Sequence, residues 1–368
     1  MLLHFKPETM DIDEFDDFKI ILWIILFLIF GIVIITCKRD PGDYIMTVAG
    51  PIPPSKAGVT LQHEHILVDF IGADSTGYFR WDRNEVIDKA LPHLNELKKR
   101  NVLTFIENTP SYLGRDPLLL KELFERTGMN FITNTGYYGA RNNLYIPRSF
   151  YSSGPEEIAG IWIAEFENGI EGTGIKPGFI KIAVDASDKL SPEHNKIITA
   201  AALTHLKTGL TIASHTGPEK PAFEQIAILK EHNVDPSAFI WVHAQRGTIE
   251  SNILAAEEGV WISLDNVRER PDLEPGAPNS IKWYAHRISE LKEKKLLHKV
   301  LISHDSGWYD PAKPQGGTFS GYSDIFDHLI PALKEKGLTD SEIEQILVKN
   351  PAEAFKVKIR TFSTKPES

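Results

Sequence analysis

The feature that most constrains this chain is a change of hydrophobic period that repeats along its length. From Thr47 onward, short apolar runs that end in polar residues alternate with amphipathic segments. The strand-like runs fall at 59–65, 102–108, 130–135, 178–185, 210–215, 239–243, 260–265 and 300–304, which makes eight. Helical patterns lie between or after them, at 85–99, 117–127, 194–208, 222–232, 248–258, 322–336 and 340–349. Strands separated by helices predict a parallel sheet. Eight such units in about 300 residues fit a closed (β/α)8 TIM barrel of the α/β class better than an open doubly wound sheet. No Gly-rich phosphate loop follows the first strand, which argues against a nucleotide-binding sheet. Residues 44–54 precede that strand and are expected to form a small hairpin that plugs the barrel floor.

The first 40 residues belong to a different kind of segment. Residues 20–36 form a 17-residue run without charge, preceded by Lys19 and followed by Cys37, Lys38 and Arg39. That is the lower-limit length for a membrane-spanning helix and slightly long for a signal-peptide core. The run ends Ile34-Ile35-Thr36-Cys37, which resembles a bacterial lipobox with Cys37 as the lipidated residue. Thr36 fits that pattern poorly, and the preceding stretch is acidic where signal peptides are basic. A lipoprotein signal is the first reading and an uncleaved membrane anchor the second. A buried core helix is the third, weakened by the lack of a polar face. The expected organisation is a leader at 1–40, a barrel domain at 41–358 and a polar tail at 359–368, with the barrel tethered to the cell envelope outside the cytoplasm. The net charge of −10 offers no general basic surface, so nucleic acid is not an expected partner. Cys37 is the only cysteine, which excludes an intrachain disulfide and a Cys-based zinc site.

Barrel active sites lie at the C-terminal ends of the strands. There the first strand carries His63-Glu64-His65, and i, i+2 alternation turns both imidazoles to one side. The fourth holds Lys181, the fifth ends at His215, the sixth at His243, and the eighth is followed by Asp305. A single strand histidine is usually structural, but a buried lysine needs an explanation, because an unpaired ammonium is costly to bury. Four histidines, one lysine and one aspartate at the ends of five strands can converge on one cavity. Imidazole and carboxylate suit zinc, manganese, iron or cobalt. Such a set holds two metals if something bridges them. Free lysine cannot, being protonated with a pKa of about 10.4. Addition of CO2 to its neutral amine makes a carbamate, a carboxylate on a long stem. The apolar neighbours Phe179, Ile180 and Ile182 favour that chemistry by disfavouring the ammonium.

From Thr47 to about Lys356 the chain resembles the phosphotriesterase family of the amidohydrolase superfamily. The stretches that carry the resemblance are TVAGPI, GVTLQHEHILVD, FIENTPSYLGRDP, TNTGYY, GIKPGFIKIAVD, IASHTG, WVHAQRG, ISLDN, LISHDSGW and VKNPAEAF. The resemblance implies two divalent metal ions, with His63, His65, Lys181 and Asp305 on the more buried one and Lys181, His215 and His243 on the more exposed one. Lys181 would be the carboxylated lysine. A metal-bridging hydroxide would attack the substrate, with Asp305 taking the proton. A homodimer is also implied.

Two positions depart from the phosphotriesterases proper. Their proton relay uses an Asp after the sixth-strand His and a His after the seventh-strand Asp, where this chain has Arg246 and Asn266. That disfavours fast triester hydrolysis. Tyr138 stands where lactonase-like members place a tyrosine near the metals, and Trp308 is expected to wall the pocket. Asn266 is a third candidate substrate contact, and Arg246, Arg268 and Arg270 lie on loops that can meet an acidic group. Glu64 and His304 alternate away from the ligands and are read as structural. The expected function is hydrolysis of a lactone or other carboxylic ester. The alternatives are a phosphoester or amide hydrolase on the same centre, and a membrane-tethered binding protein without catalysis.

Overall fold

The computed structural model describes residues 43–362. The expected leader, with its apolar run and Cys37, lies outside the described residues, as does the end of the tail. The chain opens with a hairpin of β1 (Ile45–Thr47) and β2 (Gly50–Ile52), paired antiparallel. Nine more strands follow: β3 (Val59–Glu64), β4 (Val102–Glu107), β5 (Asn130–Ile132), β6 (Asn134–Thr135), β7 (Phe179–Ala183), β8 (Ile212–His215), β9 (Phe239–Val242), β10 (Trp261–Leu264) and β11 (Val300–Ile302). Every expected run contains a strand, and the third is split at Thr133 into β5 and β6. They form two parallel sheets, ordered β3-β4-β5 and β6-β7-β8-β9-β10-β11. Past the end of β11 the chain bonds back to β3: Asp305 N donates to His63 O at 3.2 Å, and His65 N to Ser306 O at 2.9 Å.

Helices cover the sheets, and their ends follow from local chemistry. The helix Arg83–Lys99 starts at Asp82, whose carboxylate accepts from the Asn84 and Glu85 amides, and buries Val86, Ile87, Ala90, Leu94 and Leu97 along one stripe. Pro117–Thr127 begins with a capping Asp116 and a first-turn proline, and Gly128 ends it at φ 71°. Ser191 and Gly209 play the same two parts for Pro192–Thr208. The helices Pro155–Asn168 and Ile281–Glu293 were not expected. The expected last helices, 322–336 and 340–349, contain π turns at Ile325–Leu329 and Gln345–Lys349. Pro331 and Pro351 follow close behind these turns and have no N–H to continue the ladder.

The strands bury two different faces. Ile180, Ile182, Ile212 and Ile262 pack toward the helices. Ile106, Ile132, Phe179, Ala213, Ile240, Trp261 and Leu301 form a separate cluster on the other face, with Ile45 of the hairpin and Phe355. Phe179 and Ala213 lie two residues before Lys181 and His215. The same face therefore changes from apolar to polar, bearing Lys181 and His215, toward the C-terminal ends.

Candidate metal centre

Six side chains from five strand ends meet over that apolar cluster. His63, His65, Lys181, His215, His243 and Asp305 line one cavity of about 70 Å3, with Val68, Phe70, Leu113, Tyr138 and Trp308 as its other walls. Parallel pairing sets the level of the ligands: Lys181 is beside Ala213 and Ala183 beside His215. Asp305 Oδ1 lies 3.1 Å from His65 Nε2 and 3.7 Å from His63 Nε2, and Oδ2 lies 3.9 Å from His243 Nε2. His243 Nε2 faces His215 Nδ1 at 2.9 Å, and Lys181 Nζ is 3.5 Å from His63 Nε2.

Several groups orient these side chains. The Thr109 hydroxyl donates to Leu67 O at 2.9 Å, so it accepts from His65 Nδ1–H at 2.8 Å. That fixes a proton on Nδ1 and turns Nε2 toward Asp305. Asp265, at the end of β10, lies between two ligands, with Oδ1 3.3 Å from His63 Nδ1 and Oδ2 3.4 Å from His243 Nδ1. The His63 contact is off the line of a good hydrogen bond, and that nitrogen has no other partner. Gln62 Nε2, Ser263 Oγ and the His243 amide already donate to Asp265, at 2.9, 2.7 and 2.8 Å. Asp265 is therefore an orienting carboxylate and not a ligand, although its oxygens are close enough to two imidazoles to join a cluster. A register shift in β3 between Leu61 and Glu64 lets both Gln62 and His63 reach it, which strict alternation does not allow.

The electrostatics suit cation binding. Burial pulls the Lys181 ammonium down to about 8, against the opposing pull of Asp265, Asp305 and Glu107. Burial also lowers His243 to about 4 and His215 well below its ordinary value, so both imidazoles are neutral at pH 7. For Asp305, burial works to raise the carboxyl, but His63 and His65 outweigh it and hold the group well below its usual range. Asp265 shows the same balance and sits at about 2. Burial raises the Tyr138 phenol, which stays protonated, and its ring lies 5.1 Å from that of His215. Buried neutral imidazoles and an ionised carboxylate fit a metal site. His63, His65 and Asp305 alone bring three ligand atoms within 4.8 Å of one another. His243, Asn266, Asp305 and Trp308 all have left-handed backbones, with φ of 63°, 64°, 52° and 73°. They are four of fourteen non-glycine residues with positive φ among the described residues, so this conformation does not by itself single out the site.

The remaining expected residues divide. Trp308 packs edge-on to His65, with centroids 5.7 Å apart, and walls the cavity. Asn266 is half-buried but is not among the cavity's lining residues, so the expected substrate contact has no support from its position. Arg246 is exposed. Glu64 and His304 are structural, as expected. Glu64 accepts from Ser303 Oγ, the His304 amide and the Ser306 amide, and His304 Nδ1 lies 2.7 Å from it. Asp265, Thr109 and Glu107 were missed. Glu107 is buried beneath His65, its Oε1 3.9 Å from His65 Nδ1, and burial pushes its carboxyl up to about 7. Each of the three is a polar residue at or just past a strand end, the signal that found the ligands.

The sequence profile of the phosphotriesterase family matches residues 43–355. The chain belongs to the phosphotriesterase family. Among curated relatives, the phosphotriesterase homology protein of Escherichia coli (strain K12) is 29% identical over 302 residues, covering 81% of this chain and 98% of the relative. The aryldialkylphosphatase of Saccharolobus solfataricus is 29% identical, covering 81% and 95%. The human N-acetyltaurine hydrolase is 26% identical, covering 83% and 96%. The phosphotriesterase-family match begins at the first described residue and spans every strand.

Proposed function

We propose that this chain closes its two sheets into a (β/α)8 barrel and hydrolyses a lactone or other carboxylic ester at a binuclear metal centre. The observation that carries this reading is the convergence of His63, His65, Lys181, His215, His243 and Asp305 on one small cavity. His63, His65 and Asp305 would hold one ion, and His215 and His243 the other. Lys181, carboxylated at Nζ, would serve both. Its low pKa supports this, because only the neutral amine adds CO2. Zinc fits the donors, and manganese, iron or cobalt are compatible. The bound ions supply Lewis acidity and water that ionises near neutral pH. Asp305, held ionised, accepts a proton as the substrate is attacked. The Tyr138 hydroxyl, held protonated, donates to the substrate carbonyl. Val68, Phe70, Leu113 and Trp308 exclude water around the reacting bond.

The relatives' names supply a second reading, hydrolysis of a phosphotriester or of an N-acyl amide. Neither Arg246 nor Asn266 can replace a carboxylate–imidazole relay, which favours the ester. Kinetics of the metal-loaded protein on γ- and δ-lactones, aryl esters, a phosphotriester and N-acetyltaurine decide between them. A lactone or ester kcat/KM at least tenfold above the others supports the first reading, and the reverse order replaces it. Two bound metals with no turnover on any of these would favour the non-catalytic binder. No helix among the described residues is long and apolar enough to cross a membrane. The proposed tether rests on the run at 20–36, and mass spectrometry of the mature N-terminus separates lipidation at Cys37 from an intact anchor. Light scattering tests the proposed homodimer.

A further inference from the structure

A second cavity, of about 290 Å3, opens at the opposite ends of the strands from the His/Asp cluster. Trp261 begins β10, and Lys299 immediately precedes β11, which places the cavity at the N-terminal ends. Its charged lining is Lys299, Lys349, Lys358 and Arg360, with Glu353 as the one carboxylate. Glu353 is already engaged, accepting from Lys356 Nζ at 2.9 Å, and Lys349 reaches the neighbouring Glu344 at 3.5 Å.

None of the other three cations makes a direct ion pair among the described residues, although Asp235, Glu353 and Asp43 lie near enough to act on them. The Lys299 ammonium stands 4.6 Å from the centroid of the Trp261 ring. Lys358 is exposed and makes no side-chain hydrogen bond or ion pair among the described residues. Arg360 is only 9% exposed. Its guanidinium donates to Thr211 Oγ1 at 3.0 Å and to the carbonyls of Glu353, Lys356 and Lys358 at 3.0, 3.3 and 3.5 Å, all neutral acceptors. Burial pulls both Lys299 and Arg360 below their ordinary values. The carbonyl cage and the indole face explain how each cation is held. The nearby carboxylates offset part of this charge, but the lining itself carries four cations against one carboxylate, and poorly compensated buried charge is costly.

We propose that this cavity binds a phosphate-type oxyanion, with Lys299 and Lys358 as its charged contacts and Arg360 as the buried positive charge behind them. A tetrahedral phosphate group, as a free anion or a phosphodiester, presents oxygens in several directions, and lysine serves such anions as a point charge. The ligand is either a soluble phosphate or an anionic lipid headgroup. The second source is within reach, because Asp43 pairs with Lys356 at 2.8 Å and the Val357 amide donates to Tyr44 O. The described chain thus begins beside the cavity, seven residues after the apolar run ends in the sequence.

The test is calorimetric titration of inorganic phosphate into the metal-loaded full chain and into its Lys299→Ala/Lys358→Ala variant. The metal centre contributes equally to both, so the difference reads the cavity. One additional equivalent is expected in the wild type, weakened roughly tenfold or more in the double variant and retained in Lys299→Arg. Vesicles of phosphatidylglycerol and of phosphatidylcholine identify the source. A preference for phosphatidylglycerol that the variant loses assigns a lipid headgroup, and phosphate binding without that preference assigns a soluble ligand. If the double variant does not fold, Lys358→Ala alone, on an exposed side chain, is titrated in its place. Superimposable isotherms together with equal vesicle binding for wild type and variant overturn the proposal.

Discussion

Replacing Asp265 by asparagine tests how the ligands are aimed without removing any of them. Its two oxygens serve two groups of donors. Oδ1 faces His63 Nδ1, Gln62 Nε2 and Ser263 Oγ, and Oδ2 faces His243 Nδ1 and the His243 amide. An amide keeps one acceptor and turns donors toward the other group. Facing its oxygen to Gln62 and Ser263, the two hydrogen-bonded side chains at Oδ1, leaves the His243 amide and ring unserved. The His243 imidazole then moves its proton from Nδ1 to Nε2, the nitrogen that faces His215 and Asp305. A protonated Nε2 cannot bind a metal. Losing such an orienting partner costs about 10–100-fold in metal affinity, or about 1.4–2.7 kcal/mol. The unpaired His243 amide adds about 1–3 kcal/mol of lost stability. Competition with a chelator of known affinity measures the metal term, and urea unfolding measures the second. The variant should release one metal at chelator concentrations that leave the wild type loaded, with hydrolysis falling in step. Two metals held within twofold of wild-type affinity would refute the reasoning.

Four further outcomes follow. Lys181→Ala should lose both metals and activity together, and bicarbonate should speed reconstitution of wild type but not of the variant; two metals and full activity in Lys181→Ala would exclude the carbamate. Gly136 has φ 122°, and a Cβ there would stand 2.0 Å from Lys181 O, so Gly136→Ala should lower both the unfolding midpoint and metal content. Gly160→Ala meets nothing within 4 Å and sits inside the helix Pro155–Asn168, so the same measurements should show unchanged metal and a gain of about 0.5–1 kcal/mol. In the metal-free protein His243, lowered from 6.5 to about 4 in the fold, should cost stability on acidification, while Glu107, raised to about 7, works the other way, so the His243 share is read by comparing wild type with His243→Asn. Below pH 6.5 the unfolded chain takes up a proton that the folded chain refuses, and the loss grows to about 3 kcal/mol by pH 4, with no effect above 6.5. A change in denaturant midpoint between pH 7.5 and 5 that is the same in wild type and His243→Asn would contradict this.

The strands and the candidate ligands were legible from breaks in the apolar period. A histidine at the end of an apolar run marks where a parallel strand presents its C-terminal end, as at His63, His215 and His243, and Lys181 stands out as a charge inside the apolar run Phe179–Ala183. What lay outside that period was hidden. Asp265 was visible as a strand-end carboxylate, but its partner Gln62 is 203 residues away, and chain order cannot show which strands are neighbours across a sheet. The shift in β3 that brings Gln62 and His63 to the same carboxylate is a matter of register, which hydrophobic pattern leaves open. The helix Pro155–Asn168 starts with a capping Gly154 and carries Ile158, Ala159 and Trp162 on its buried side, but Ile161 outside that stripe blurs its apolar face. Asn266 was placed by analogy with a relay position, and its left-handed backbone does not bring it to the cavity wall.

The most direct test of the central claim is a metal titration of the stripped protein, with hydrolysis of the best ester or lactone followed at each step. The account predicts activity that returns in proportion to added zinc and saturates at two equivalents per chain. Full activity in the stripped protein, or saturation at one equivalent, would contradict a binuclear centre built from His63, His65, Lys181, His215, His243 and Asp305.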